Sequence, residues 1–354
     1  MTNAIRSYDD ARKVAGILNI NDVKRLRHLG TGASGNCYFV QHDKIGERTR
    51  FALKVVSVDS AEVAEHQYGR FQHALRFPPH SHVVTVVGSC LGVPKGYSEF
   101  PDGFCGTGTG KDALLRLAQA AREGRPMHGY CVLQEYMDVC LGKALTVAST
   151  RASGRPPVTS TLIGGLILQL LLGVRGLAGF HLRHRDLKPD NVLISSREGL
   201  VKLADLGENE GVHDSREDVF AIGCMALEVA TGRRDADVSE LDAELVALIR
   251  RMLAVERITP GEILTSDFMM SLFPSLAKVS SLVKASPDDS FNATDERRMD
   301  WMFAGNPPTG EDAWKARVPI HTEFEAQLKI ADREVARPAV KAWLTAVYEQ
   351  RGRW

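Results

Sequence analysis

The hydrophobic pattern of this chain changes character near residue 159. Before that point apolar and polar residues alternate. They do so over residues 24 to 57, around Gly-rich and charged turns, and the runs Val83-Val84-Thr85-Val86-Val87 and Tyr130-Cys131-Val132-Leu133 are rich in β-formers. Successive strand side chains point to opposite faces, so alternation marks half-buried strands. After residue 159, apolar residues recur at helical spacing over 161–181, 216–232 and 239–254. The first part holds one expected helix, 59–76, where Asp59 and Glu62 have the spacing of a capping box. Strands first and helices after imply an α+β chain, with a small antiparallel β lobe carrying one helix joined to a larger α-helical lobe.

Composition narrows the class. The chain has 354 residues, 44% hydrophobic and 25% charged, enough to bury a core. Its formal net charge of zero argues against nucleic acid or an acidic membrane as a partner. The six cysteines form no CxxC pair, which argues against a zinc site or a disulfide scaffold. With no apolar leader at the N-terminus, an intracellular, cytoplasmic setting is expected. The uncharged stretch from Pro156 to Val174 approaches the length of a membrane span. Thr159, Ser160, Thr161, Gln169 and two glycines dilute it, so it reads as a buried core helix. A polar, Gly-rich insertion is expected at about 92–129, with helical periodicity at 111–123. Trp301, Trp314, Trp343 and Trp354 all lie in the charged C-terminal part; disordered tails are poor in aromatics, so some of this part is expected to fold.

The chemistry concentrates in a few short strings. His184-Arg185-Asp186-Leu187-Lys188-Pro189-Asp190-Asn191 puts a carboxylate, an ammonium and a carboxamide within a few residues, stiffened by Pro189. Such a set can orient a hydroxyl, neutralise a phosphoryl group and hold a metal. Gly30-Thr31-Gly32-Ala33-Ser34-Gly35 is a GxGxxG, whose backbone amides can approach phosphate oxygens. A strand, Asn36 to Val40, follows it instead of the helix of a dinucleotide-binding unit. Lys54 stands in the β-rich Ala52-Leu53-Lys54-Val55, and Asp205-Leu206-Gly207 follows the strand-like 200–204. Gly106 to Asp112 imitates a Walker loop, but Cys105 replaces its first Gly and Asp112 its Ser/Thr, so it reads as surface insertion.

In this order the strings resemble the eukaryotic-type protein kinase family, serine/threonine branch, over residues 25–270. The resemblance implies a bilobal kinase-like fold with an N-terminal extension at 1–24, an N-lobe and hinge at 25–137, a C-lobe at 138–270 and a mostly helical extension at 271–354. It implies ATP and Mg2+ as cofactors. Asp186 would act as base, Lys188 would neutralise the phosphoryl group, and Asn191 and Asp205 would hold the metal. Lys54 would reach the phosphates, oriented by a carboxylate from the helix; Glu65 is the better candidate if Glu62 is spent on the cap. Gly30, Gly32 and Gly35 would cover the phosphates. Leu29, Cys37, Ala52 and Leu193 would sandwich the adenine, Gln134 would stand behind it, and the backbones of Glu135 and Met137 would bond it.

The family pattern breaks after Gly207. Ten residues, Glu208 to Glu217, separate it from Asp218-Val219-Phe220-Ala221-Ile222-Gly223, which resembles the helix that follows a full activation segment and Ala-Pro-Glu. No Ala-Pro-Glu lies between. Arg185 then has only Ser215 as a phosphorylatable residue in the bridge, and Arg257 lacks the Glu it would pair with. A protein substrate is expected, chosen without a normal activation segment, with the 92–129 insertion or the C-terminal extension as possible partner surfaces. A nucleotide-binding pseudokinase scaffold and a small-molecule kinase are the alternatives.

Overall fold

The computed structural model describes residues 23–32, 35–42, 50–58, 60–92, 128–150, 156–178, 180, 182–206, 216–232, 242–255, 258–277 and 323–349, with backbone alone at 70–76 and 216. The N-terminal 22 residues, Asp59, Ala33 and Ser34 of the glycine loop, Gly207, the bridge with Ser215, Arg257, most of the insertion with its Walker-like loop, and Trp301, Trp314 and Trp354 lie outside these.

The described residues form two compact units. The first takes in those up to Pro79 together with 84–137, and the second takes in 80–83 together with those from Asp138 onward.

The first unit is an antiparallel sheet ordered β1-β2-β3-β5-β4 among the described residues. Its strands are β1 (Val23–Gly32), β2 (Gly35–His42), β3 (Arg50–Val58), β4 (Val86–Leu91) and β5 (His128–Glu135). One face buries Tyr38, Val40, Phe51, Leu53, Val55, Val87, Cys131 and Leu133 as a core. Helix α1 (Ala61–Arg76) packs mainly on β4 and β5. Its N-cap is Ser60, whose hydroxyl accepts from the Val63 amide. This corrects the expected Asp59–Glu62 capping box: with Ser60 as the cap, the third helical residue is Val63, which has no carboxylate to return. Two further expectations shift. The run Val83–Val87 is not one strand, because Val83 makes a parallel bridge to Leu203 in the second unit and β4 begins only at Val86. The insertion is shorter than 92–129, because His128 and Gly129 already pair with Val58 and Ser57.

The second unit is built on α3 (Ser160–Ala178). Its length and hydropathy would suit a membrane span, but 72% of its apolar window is buried inside the fold. Leu162, Ile163, Leu166, Ile167, Leu168, Leu171 and Leu177 are its core residues. Gln169, fully buried, donates to Gly199 O and accepts from Val201 N, so its amide meets the polar-satisfaction rule. Around α3 stand α2 (Leu141–Ser149), α4 (Arg216–Thr231), α5 (Ala243–Leu253), α6 (Pro260–Leu264) and α7 (Asp267–Leu272). A small antiparallel sheet joins β6 (Val139–Cys140), β7 (Val192–Ser195) and β8 (Leu200–Leu203).

The last helix, α8 (323–348), belongs to this unit and packs on α3. Its middle turn, Asp332–Ala336, is a π-helix. Phe324, Leu328, Val340, Trp343, Leu344 and Val347 are buried along it. Gly199 has φ of 69°, and a Cβ there would overlap the Arg337 carbonyl, so the β7–β8 turn touches α8 backbone to backbone.

A buried charge cluster fastens α8. Arg337 Nε and Nη2 lie 2.9 and 2.7 Å from Asp332 Oδ2, and His82 Nε2 lies 3.4 Å from the same oxygen. His82 Nδ1 donates to Val201 O at 3.0 Å. Arg175 pairs with Glu325 nearby along α3. Burial pushes the Asp332 carboxyl up, but the hydrogen bonds and charges of His82 and Arg337 outweigh it and hold it below the ordinary 3.8. A carboxyl lowered on folding stabilises the fold above its unfolded pKa, and that stability is lost as pH falls through the folded value. The melting-temperature gap between the parent and Asp332→Asn is therefore expected to be full at neutral pH and to close below about pH 4. A gap independent of pH would show that Asp332 contributes by packing alone.

Candidate active site

In the first unit, strand register brings several of the singled-out residues to one face of the sheet. Cys37 pairs with Lys54, Lys54 with Val132, and Ala52 with Gln134. Directly paired residues share a face, as do residues two apart, so Cys37, Ala52, Lys54 and Gln134 lie together. Phe51, Leu53 and Val55 point to the opposite face, into the core. Lys54 is half-buried between apolar neighbours.

The glycine loop closes the β1–β2 hairpin, with Gly32 opposite Gly35 and Gly30 opposite Cys37. Leu29 falls in the register shift between His28 and Gly30. Thr31 Oγ1 donates to Asn36 Oδ1 at 2.5 Å and lies 3.2 Å from His28 Nε2, which ties the two stems of the hairpin. Gly35 has φ of 125°, and a Cβ there would overlap the Val55 carbonyl, so both its dihedral and its neighbour require glycine.

Glu62 and Glu65 are both exposed on α1. Hydrogen bonds from its own backbone amide and from the Ser60 hydroxyl hold the Glu62 carboxyl below its usual value. Glu62 is therefore engaged at the helix start, and Glu65 is one turn further on. At the end of β5, Glu135 N donates to Thr85 O at 2.9 Å, and Glu135 Oε2 accepts from Thr85 N at 3.1 Å. Its amide hydrogen is thus committed to the Thr85 carbonyl just before β4, and Met137 closes this unit.

In the second unit, hydrogen bonds hold the string at 184–191 in one conformation. Lys188 Nζ lies 2.5 Å from Asp186 Oδ2, and Asn191 Nδ2 donates to Asp186 Oδ2 at 3.0 Å and to Asp186 O at 2.8 Å. Pro189–Asn191 form a 3-10 turn, which suits the fixed φ of Pro189 at its first position. The β7–β8 hairpin then returns the chain, and Ala204 N donates to Asn191 O at 2.9 Å. That bond sets Asp205 beside Asn191. Leu193 is half-buried on β7, opposite Cys140.

Among the described residues, two non-glycine residues have left-handed backbones, Arg185 (φ 61°) and Asp205 (φ 66°). Such conformations cost about 1–3 kcal/mol each and persist where surrounding contacts enforce them. For Arg185 the contact is visible. Asp218, buried at the start of α4, accepts from Arg185 N at 3.3 Å and His184 N at 3.5 Å. Burial raises the Asp218 carboxyl, opposed by His184 and these amides. Burial lowers the His184 imidazole, keeping it neutral, with Nε2 donating to Ala204 O at 2.7 Å. His184 thus bridges the 184–191 string to the residue before Asp205.

Asp218 is the site residue that the sequence reading left without a role. Its signal was an acid at the head of the apolar Val219-Phe220-Ala221-Ile222, a place where a carboxylate is buried only if backbone donors meet it. Asp218→Asn keeps one acceptor and leaves one buried amide unpaired. It is expected to cost about 1–3 kcal/mol in denaturant unfolding. Unchanged stability would remove Asp218 from this role.

The donor set fits magnesium. Asn191 has its amide nitrogen committed to Asp186, which leaves Oδ1 to offer a cation, and Asp205 adds a carboxylate. Hard oxygen donors of this kind suit magnesium, which is held by one or two carboxylates together with substrate phosphates.

The protein kinase domain family matches residues 23–216. The Arabidopsis thaliana mitogen-activated protein kinase kinase 7 is 29% identical over 191 residues, 54% of this chain and 48% of the relative. The Drosophila melanogaster dual specificity mitogen-activated protein kinase kinase hemipterous is 27% identical over 241 residues, 65% of this chain and 17% of the relative. A second Drosophila kinase of that kind, dSOR1, is 24% identical over 306 residues, 84% of this chain and 62% of the relative. The chain spans about half or less of the length of the first two and under two thirds of the third. The family match runs over more than half of the chain, from the glycine hairpin and Lys54 through the 184–191 string to the first residue of the Asp218 helix, and the chain belongs to the protein kinase family.

Proposed function

We propose that this chain transfers the γ-phosphoryl group of ATP to Ser/Thr hydroxyls of protein substrates, and that it selects them without a normal activation segment. The hydrogen-bonded cluster Asp186–Lys188–Asn191 beside Asp205 carries the reading. Magnesium-bound ATP, when present, supplies the transferable group and part of the charge neutralisation. Asp186 Oδ2 accepts the proton of the acceptor hydroxyl as that oxygen attacks. Lys188 holds the Asp186 carboxylate in place and presents its ammonium to the charge of the transferring group. Asn191 Oδ1 and the Asp205 carboxylate would hold the metal, while Lys54 and the Gly30–Gly35 hairpin would hold the phosphates. Glu65 would orient Lys54. Leu29, Cys37, Ala52 and Leu193 would enclose the adenine, with Gln134, Glu135 and Met137 along its edge.

The test is incubation with labelled ATP, magnesium and a panel of generic proteins, followed by phosphoamino-acid analysis. Label on Ser and Thr supports the proposal. Label on Tyr as well would extend it to the dual specificity named for the Drosophila relatives. Nucleotide binding without transfer would favour a pseudokinase scaffold, and label confined to small molecules a small-molecule kinase. The ten-residue bridge carries a second expectation: activity is independent of phosphate on Ser215. Activity that rises with phosphate there would overturn it.

A further inference from the structure

Cys90 on β4 and Cys131 on β5 are direct partners in the antiparallel ladder. Their sulfurs are 2.9 Å apart. Residues paired this way have Cα atoms roughly 4.5–5.5 Å apart, inside the ~4.4–6.8 Å that a disulfide spans. Both cysteines are free thiols. Their surroundings differ. Cys131 is fully buried and packs in the sheet core with Val87 and Leu133, whereas Cys90 lies at the margin of that core and is partly exposed. The pair also occupies a particular place in the chain. β4 ends at Leu91 and β5 begins at His128, so the two cysteines stand at the base of the segment that leaves and re-enters the sheet between them. A backbone bond from Gly92 N to Gly129 O, 2.7 Å, closes the ladder just beyond.

We propose that Cys90 and Cys131 form a redox-active dithiol, which a hydroperoxide converts to a cross-strand disulfide that ties together the two strand ends flanking residues 93–127. Cys90 is the attacking sulfur and Cys131 the resolving one. The Cys90 thiolate attacks one peroxide oxygen; the O–O bond breaks, hydroxide leaves, and Cys90 becomes a sulfenic acid. Cys131 then gives up its proton, and its sulfur attacks Cys90 Sγ. The second hydroxide leaves and takes that proton as water. Two thiols lose two electrons, and hydrogen peroxide is reduced to two waters. A dithiol reductant reverses the change by thiol–disulfide exchange. The order of attack follows from access, because a partly exposed thiol meets peroxide before a buried one. Hydrogen bonding agrees: the bond donated by Cys131 holds the Cys90 thiol below its usual value, whereas donating that bond, together with burial, pushes the Cys131 thiol up. This proposal is independent of whether the chain transfers phosphate, since it is read from sulfur chemistry alone.

The experiment uses the full chain, reduced, desalted, exposed to a small excess of hydrogen peroxide, alkylated with N-ethylmaleimide and digested without reductant. The expected product is a Cys90–Cys131 linked peptide pair, two hydrogens lighter than the sum of the separate thiols, which dithiothreitol returns to free thiols. The other four cysteines are expected to be alkylated. In Cys131→Ser, the Cys90 sulfenic acid has no resolving thiol and is expected to give roughly tenfold more dimedone adduct than the parent. In Cys90→Ser, Cys131 is expected to stay unmodified while the protein is folded, which a thermal melt checks. If either variant does not fold, the parent peptide map decides by itself. A link from either cysteine to Cys105 or Cys37, a Cys90–Cys131 link formed only in urea, or a link that dithiothreitol cannot reduce in the folded protein would each overturn the proposal.

Discussion

Asp186→Ala is expected to lower phosphoryl transfer by roughly 10²–10⁴-fold, the range contributed by a positioned general base. The loss should appear in kcat, because the carboxylate acts on the acceptor proton during transfer. Stability should scarcely move. The Asp186 side chain is 48% exposed and that of Lys188 43%, so their contact is a surface pair of small net worth. Unfolding of the variant should match the parent to within about 0.5 kcal/mol, as for surface substitutions generally. A matched melt with lost transfer places Asp186 in the chemistry. An active variant would remove it and would point to a different base. Asp186→Asn is a useful companion, since it keeps the shape and an acceptor for Asn191 Nδ2 while lacking the charge that draws a proton.

Ending the chain at residue 322 is expected to have the largest effect on folding. It removes α8, and with it the buried Phe324, Leu328, Val340, Trp343, Leu344 and Val347. Each such side chain is worth about 1.5–3 kcal/mol on burial, so together they are worth roughly 9–18 kcal/mol. That is comparable to the entire stability of a typical domain, about 5–15 kcal/mol. The cut would also remove the partners of His82 and Arg175, since Asp332 and Glu325 both lie on α8. The shortened chain is expected to be recovered as aggregate, or to melt without a cooperative transition by circular dichroism. A soluble product with a parental melt would show that the second unit folds without α8.

The readable part of this protein lay in local pattern. Alternation at 24–57 became β1 to β3, and the uncharged run at 156–174 became most of α3. The order of the glycine loop, Lys54, the 184–191 string and Asp205 identified the family because each motif is a short string legible in the sequence. Where local pattern was ambiguous, the reading slipped. Val83–Val87 is uniformly β-rich, so nothing in it marks the point at which Val83 bridges Leu203 and β4 begins later. Asp59 and Ser60 are both good caps, and the spacing to Glu62 favoured the wrong one.

By itself, then, the sequence determined the fold class and the family, since these arise from side-chain periodicity and from short motifs of residues adjacent in the chain. Tertiary structure alone decided the rest. It showed that α8 closes the second unit, through a charge cluster joining His82 to Asp332 and Arg337 across some 250 residues of chain. It gave Asp218 its purpose in holding the Arg185 backbone, and it set the Cys90 sulfur against that of Cys131. Each of these depends on a contact between residues far apart in the chain, and no local period or spacing encodes such a contact.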